Sequence, residues 1–177
     1  MKKNQIFTIP NLLSLLRLAM IPLLLWLYLV KQAYLWTAAV VVLSGITDIV
    51  DGIIARKYDL ISDLGKAMDP LADKLTQIAM LYCLGTSFPE IQILLVILVV
   101  KEVVTGIMSL VSIHKTGKVE GAQWHGKVTT VLLYAMIIDR IVPWLFSAVL
   151  TAVCMGMMVL SAVMYWNRNW EKIKGKT

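Results

Sequence analysis

Four carboxylates in one short stretch are the residues most able to do chemistry. Asp48, Asp51, Asp69 and Asp73 fall within positions 44–75, and Ile46, Ile49, Val50, Ile53 and Ile54 surround the first two. An acid in such company has to be paired, hydrogen-bonded or ligated. Helical residues three or four apart share a face, so Asp48 and Asp51 project together from one helix, and Asp69 and Asp73 from the next. If the two helices are antiparallel neighbours, all four side chains converge. There they repel one another unless cations sit among them. An all-oxygen ligand set suits Mg²⁺, Mn²⁺ or Ca²⁺ better than a softer metal. Gly45 and Gly52 allow a ligand or a second backbone to come close, as Gly65 does across the link, although helix packing alone also accounts for glycines of this kind. Asp59 and Asp63, in the polar link between the helices, read as water-exposed.

The elements that must carry these side chains follow from composition. Of 177 residues, 59% are hydrophobic and 16% charged, and the mean hydropathy is +0.76. A soluble domain carries roughly a quarter of its residues as charges, so a helical bundle in a bilayer is expected instead. Segments near 11–30, 34–56, 68–86, 90–112, 126–142 and 144–166 approach the length needed to cross the hydrocarbon. The expected fold is an all-α integral membrane protein, one domain over 1–177, with six transmembrane helices. An interfacial amphipathic stretch over 6–17 should lead into the first span at 18–30. Links at 31–33, 85–89 and 141–143 are short enough to force antiparallel hairpins. Arg17, Asn11 and Ser14 interrupt the first apolar run, and no small-residue cleavage site follows Tyr28, so it reads as retained rather than as a signal peptide.

With both ends and the aspartates on the cytoplasmic side, 14 of the 17 Lys and Arg residues lie inside, Lys31 and Arg140 outside, and Lys101 within the fourth span. So lopsided a split obeys the positive-inside rule. The net charge of +6 therefore reports topology, and no nucleic-acid partner is expected. Cys83 and Cys154 lie far apart in apolar segments and read as reduced thiols.

The pattern Asp48-x-x-Asp51-Gly52-x-x-Ala55-Arg56, eight further residues, then Gly65-x-x-x-Asp69-x-x-x-Asp73 resembles the signature of the CDP-alcohol phosphotransferases at all eight fixed positions. The resemblance extends to the six-span architecture with cytosolic ends. It implies transfer of a phosphatidyl or similar group from a CDP-linked donor such as CDP-diacylglycerol to an alcohol, with release of CMP. By the same resemblance Asp48, Asp51 and Asp69 are ligands of two divalent ions, Mg²⁺ or Mn²⁺. Asp73 completes that site and serves as general base. Gly52, Ala55, Arg56 and Gly65 accommodate the CDP moiety. A homodimer in a bacterial plasma membrane is implied as well.

Two further clusters bear on the acceptor. Asn11-x-x-Ser14-x-x-Arg17 is similar to an N-terminal motif of the phosphatidylglycerophosphate synthase and cardiolipin synthase branches. Helix capping by Asn11 or Ser14, with Arg17 snorkelling to the interface, explains it equally well. His125-Gly126-Lys127-Val128-Thr129-Thr130 resembles a basic segment of the synthase branch, with Thr129 where a second lysine is expected. Lys101-Glu102 resembles the Arg-Glu start of a family helix and is equally readable as a structural charge pair. His114 and His125 lack metal-ligand spacing. A phosphorylated acceptor such as glycerol 3-phosphate suits Arg17, Lys74, Lys101 and Lys127. Phosphatidylglycerol, the acceptor of a cardiolipin synthase, is the nearest rival, and an inositol phosphate or serine stays open.

Outside the family, an intramembrane-carboxylate transporter explains buried aspartates but not the fixed glycine, alanine and arginine positions. A non-catalytic membrane scaffold is the blandest alternative and expects no lipid-synthetic activity for any substitution to alter. Asp73→Asn separates these classes: the enzyme reading expects CMP release from CDP-diacylglycerol to be lost, and unchanged release in that variant removes Asp73 from the chemistry.

Overall fold

The computed structural model describes residues 8–57, 63–116, 124–142 and 147–173. Every regular element among them is helical, without strands. Helix α1 (Ile9–Leu25) passes into a π-helical turn (Trp26–Val30), and α2 (Tyr34–Lys57), α3 (Asp63–Gly85), α4 (Pro89–Thr116), α5 (Trp124–Ile141) and α6 (Ser147–Ile173) follow. Each expected segment is present as a helix. Helix α6 runs through the polar residues beyond 166, because backbone hydrogen bonding does not need apolar side chains. Helix α3 likewise begins inside the expected polar link, at Asp63. Asp59 lies outside the described residues, as does the side chain of Asp63.

Among the described residues, four stretches are long and apolar enough to cross a membrane: Asn11–Val30, Tyr34–Asp51, Pro89–Met108 and Ala148–Arg168. Helices α3 and α5 fall short of that composition because they carry Asp69, Asp73 and Lys74, and Lys127, Asp139 and Arg140, respectively. The chain divides into two compact units, Met1–Cys83 and Leu84–Thr177.

In the first unit α1 packs along α2. Thr8 caps α1, its hydroxyl accepting from the Asn11 amide at 3.4 Å, with proline in the first turn where its missing N–H costs nothing. Helix α1 is continuous from Ile9, so no break separates an interfacial stretch from a span. The turn into α2 is tight: Gln32 adopts φ 50°, and the Ala33 amide donates to the Leu27 carbonyl at 2.9 Å. Both helices mix polar residues into their buried faces and keep large apolar side chains outside. Asn11, Ser14 and Arg17 are buried on α1, and Thr37, Ser44 and Asp51 on α2. Leu12, Leu15, Leu16, Leu35, Trp36 and Ile49 face outward. Water would favour the reverse arrangement; a lipid surround favours this one.

In the second unit α4 and α5 both pack on α6. Ile91, Leu94 and Leu98 on α4, Leu133, Met136 and Ile137 on α5, and Cys154 and Met158 on α6 are buried at helical spacing. Where α3 gives way to α4, the Gln92 amide donates to the Gly85 carbonyl at 2.8 Å. A Cβ at Gly85 would come within 3.0 Å of the Gln92 side chain. Cys83 and Cys154 are buried, and neither is in a disulfide among the described residues.

Arg140 fastens one end of this second unit. It pairs with Glu90 at 3.0 Å, donates to the Thr151 hydroxyl at 3.1 Å and lies 4.7 Å from the Phe88 ring centroid. One side chain thus ties α4, α5 and α6. Arg140→Ala is expected to cost about 1–3 kcal/mol, the range for hydrogen bonds to a charged group, whereas Lys31→Ala at the exposed first link should cost about 0.5 kcal/mol or less. Thermal unfolding of both variants in detergent checks the contrast.

Candidate active site

The first unit brings the predicted carboxylates together and adds groups that the spacing alone did not assign to them. Asp48 and Asp51 sit three residues apart on the last turns of α2, and Asp69 and Asp73 four apart on α3. Asp69 and Asp73 both lie close enough to Asp48 for their charges to act on it, and Asp69 close enough to act on Asp51. All four therefore share one electrostatic neighbourhood.

Arg17 comes into it from α1. Its Nη1 donates to Asp48 Oδ1 and its Nη2 to Asp51 Oδ2, each at 2.6 Å. A planar guanidinium suits this bridging, since its fork presents two donors at once. The Arg17 side chain is 1% exposed and that of Asp51 3%, while that of Asp48 is 48% exposed. The pair thus runs from a sealed end to an open one. One turn before Arg17, the Ser14 hydroxyl donates to Asp69. On α3 the buried Gln77 amide donates to Asp73 Oδ2 at 2.8 Å, and the Lys74 ammonium stands 3.8 Å from the same oxygen. Two polar atoms nearby are buried without a hydrogen-bond partner, Arg17 Nε and Ser44 Oγ, the latter one turn before Asp48.

Among the described residues, no three Asp, Glu, His or Cys side chains form a ready-made metal cage. Asp48 and Asp51 instead each give one oxygen to Arg17. The donor chemistry nevertheless fits a hard divalent cation: the ligands are carboxylate oxygens, and four acids face one buried guanidinium and one partly exposed ammonium.

The other predicted residues divide as follows. Asn11 is buried on the same face of α1 as Ser14 and Arg17. Capping by Asn11 or Ser14 is replaced by capping from Thr8, and Arg17 does not snorkel, because two carboxylates hold it inside. Gly52, Ala55 and Arg56 are on α2 and Gly65 on α3 by their backbones; their side-chain surroundings lie outside the described residues. In the second unit Lys127 is exposed on the first turn of α5. Buried His125 shares a hydrogen bond with the Ser161 hydroxyl at 2.9 Å and meets the Tyr165 ring edge-on. Lys101 and Glu102 pair with each other at 2.6 Å. Sequence reasoning missed Gln77, although it stands one turn after Asp73, where a helix places a partner.

A helical chain with apolar outer faces that gathers four aspartates around a buried arginine has the makings of a membrane protein handling charged groups. The chain is a member of the CDP-alcohol phosphatidyltransferase family, which it matches over residues 7–169. It is similar along almost its whole length to the CDP-diacylglycerol--glycerol-3-phosphate 3-phosphatidyltransferase of Bacillus subtilis, at 30% identity over 95% of this chain and 98% of that protein. A shorter region, 41% of this chain, is 46% identical to a Cardiolipin synthase (CMP-forming) of Streptomyces coelicolor, of whose length the match spans 36%. A Rickettsia bellii CDP-diacylglycerol--glycerol-3-phosphate 3-phosphatidyltransferase is 44% identical over 38% of each chain.

The unequal exposure of the two Arg17 partners has a measurable consequence. Removing one member of a buried ion pair costs about 3–5 kcal/mol, and an exposed member costs about 1 kcal/mol or less. Asp51→Ala should therefore lower the unfolding temperature in chelator clearly more than Asp48→Ala does. Equal losses would mean that Arg17 leans on both carboxylates alike.

Proposed function

We propose that this protein transfers the phosphatidyl group of CDP-diacylglycerol to glycerol 3-phosphate, forming phosphatidylglycerophosphate and releasing CMP. The observation that carries the choice of acceptor is the end-to-end similarity to the Bacillus subtilis protein named for that reaction. The aspartate cluster supports the reaction type.

In this reading the acceptor hydroxyl attacks the phosphorus that bears the diacylglycerol. The bond from that phosphorus to the bridging oxygen breaks, and CMP leaves with the oxygen. Asp73 takes the hydroxyl proton, and the Gln77 amide fixes the direction in which its carboxylate points. Asp48, Asp51 and Asp69, with Asp73, would hold the divalent ions, Mg²⁺ or Mn²⁺. When bound, such ions neutralise the pyrophosphate and the charge that develops on the leaving CMP. Gly52, Ala55 and Gly65 leave room for the cytidine diphosphate, and Arg56 can grip a phosphate with two donors. Asn11, Ser14, Arg17 and Lys127 are the residues assigned to the acceptor. Ser14, donating to Asp69, joins the acceptor side to the metal side.

The whole chain then works as one membrane domain. Helices α3 and α5 cross the bilayer together with the four more apolar ones, giving six spans. Both ends and the aspartates lie on the cytoplasmic side of a plasma membrane, and the protein pairs as a homodimer. A site at the inner surface reaches both the water-soluble acceptor and the lipid donor.

The second reading is cardiolipin synthesis with phosphatidylglycerol as acceptor, favoured by the higher but shorter identity to the Streptomyces protein. Purified protein in mixed micelles, given CDP-diacylglycerol, Mg²⁺ or Mn²⁺ and a panel of labelled alcohols, separates the two. Phosphatidylglycerophosphate is the expected product. Cardiolipin made from added phosphatidylglycerol would replace the first reading by the second, and no CMP release with any alcohol would end both.

A further inference from the structure

We infer that Arg17 is a resident counter-ion which a divalent cation must displace from Asp48 and Asp51, so that cation binding and release of the guanidinium are one exchange. This rests on the metal-dependent reading above and adds which of the chain's own groups competes with the ion for its ligands. The two Nη atoms of Arg17 take one oxygen from each carboxylate at 2.6 Å, the two side chains a hard cation would use first. A divalent ion held by Asp48 and Asp51 would compete with the guanidinium for the same carboxylate oxygens, and two cations do not share them without strong like-charge repulsion.

Three observations favour exchange over a permanent pair. Asp48 is 48% exposed, so an ion arriving from the aqueous side meets an open carboxylate first and the sealed Asp51 second. Arg17 Nε is buried without a partner, so the guanidinium is incompletely satisfied where it sits and has a donor to offer elsewhere. Asp69 and Asp73 act on Asp48 as well, and a carboxylate with like charges around it gains more from a dication than from a monocation. Once displaced, Arg17 is a forked cation beside the ion, suited to a phosphate oxygen of a substrate. In the absence of a divalent ion that fork is occupied by protein.

Substrate-free Mn²⁺ binding, measured by electron paramagnetic resonance, tests the exchange. If the paired form outnumbers the open one by about ten to one, removing the competitor tightens apparent binding by about tenfold. Arg17→Met should therefore bind Mn²⁺ about tenfold more tightly than the wild type, with Arg17→Lys between the two, because an ammonium lacks the fork. Affinity in Arg17→Met equal to or weaker than wild type overturns the exchange while leaving the metal reading intact. No Mn²⁺ binding by either protein overturns both.

A measurement on the wild type avoids any folding defect in the variants. Phenylglyoxal labelling followed by peptide mass spectrometry should find Arg17 protected in chelator and modified with Mn²⁺ present. Equal protection in both conditions overturns the exchange.

Discussion

A carboxylate sealed from water has to be matched by a positive charge, and much of the first unit is arranged around Asp51 meeting that demand. The charge comes from a different helix, so α1 and α2 are fixed in register by an ion pair rather than by side-chain volume alone. The same demand explains why Asn11, Ser14 and Arg17 follow one another along the inner face of α1. Each supplies hydrogen-bonding capacity along a stripe where the neighbouring helices bring acids. Replacing this network by well-packed apolar groups would often give a firmer bundle. Its persistence marks a site whose purpose is to handle charge.

The second unit meets a lesser demand. Its polar contacts include Arg140 with Glu90 and Thr151, His125 with Ser161, and Lys101 with Glu102. Asp139 Oδ2 is an exception, buried without a partner among the described residues. The contrast separates a half that mainly packs from a half that gathers carboxylates around an arginine.

Much of this was legible in the chain itself. The six helices follow from runs of apolar residues broken by short polar links, and the gathering of the aspartates follows from helical spacing together with an antiparallel neighbour. The partner of Asp48 and Asp51 was not legible, because Arg17 is about thirty residues away and spacing rules describe only one helix at a time. Read alone, an arginine near a membrane surface suggests snorkelling; only the packing of α1 against α2 turns it inward. The cap was misplaced for a related reason. Asn11 and Ser14 are good capping residues, but Pro10 near the start moves the helix origin back to Thr8. Gln77 needed no distant contact and could have been found by extending the Asp69–Asp73 face by one more turn.

The tight turn at Gln32 and Ala33 gives the ion pair a history as well as a place. An arginine in the middle of a lone apolar helix disfavours insertion by about 2.5–3.5 kcal/mol, and an aspartate by a similar amount. Neither α1 with Arg17 nor α2 with Asp48 and Asp51 is therefore well suited to enter lipid by itself. Joined by a link of only a few residues, the two can leave the ribosome in quick succession and neutralise each other before either faces the hydrocarbon. Pairing across the hairpin would lower the cost of carrying these charges into lipid for both helices at once, so the contact that organises the site would also ease the entry of the helices that hold it.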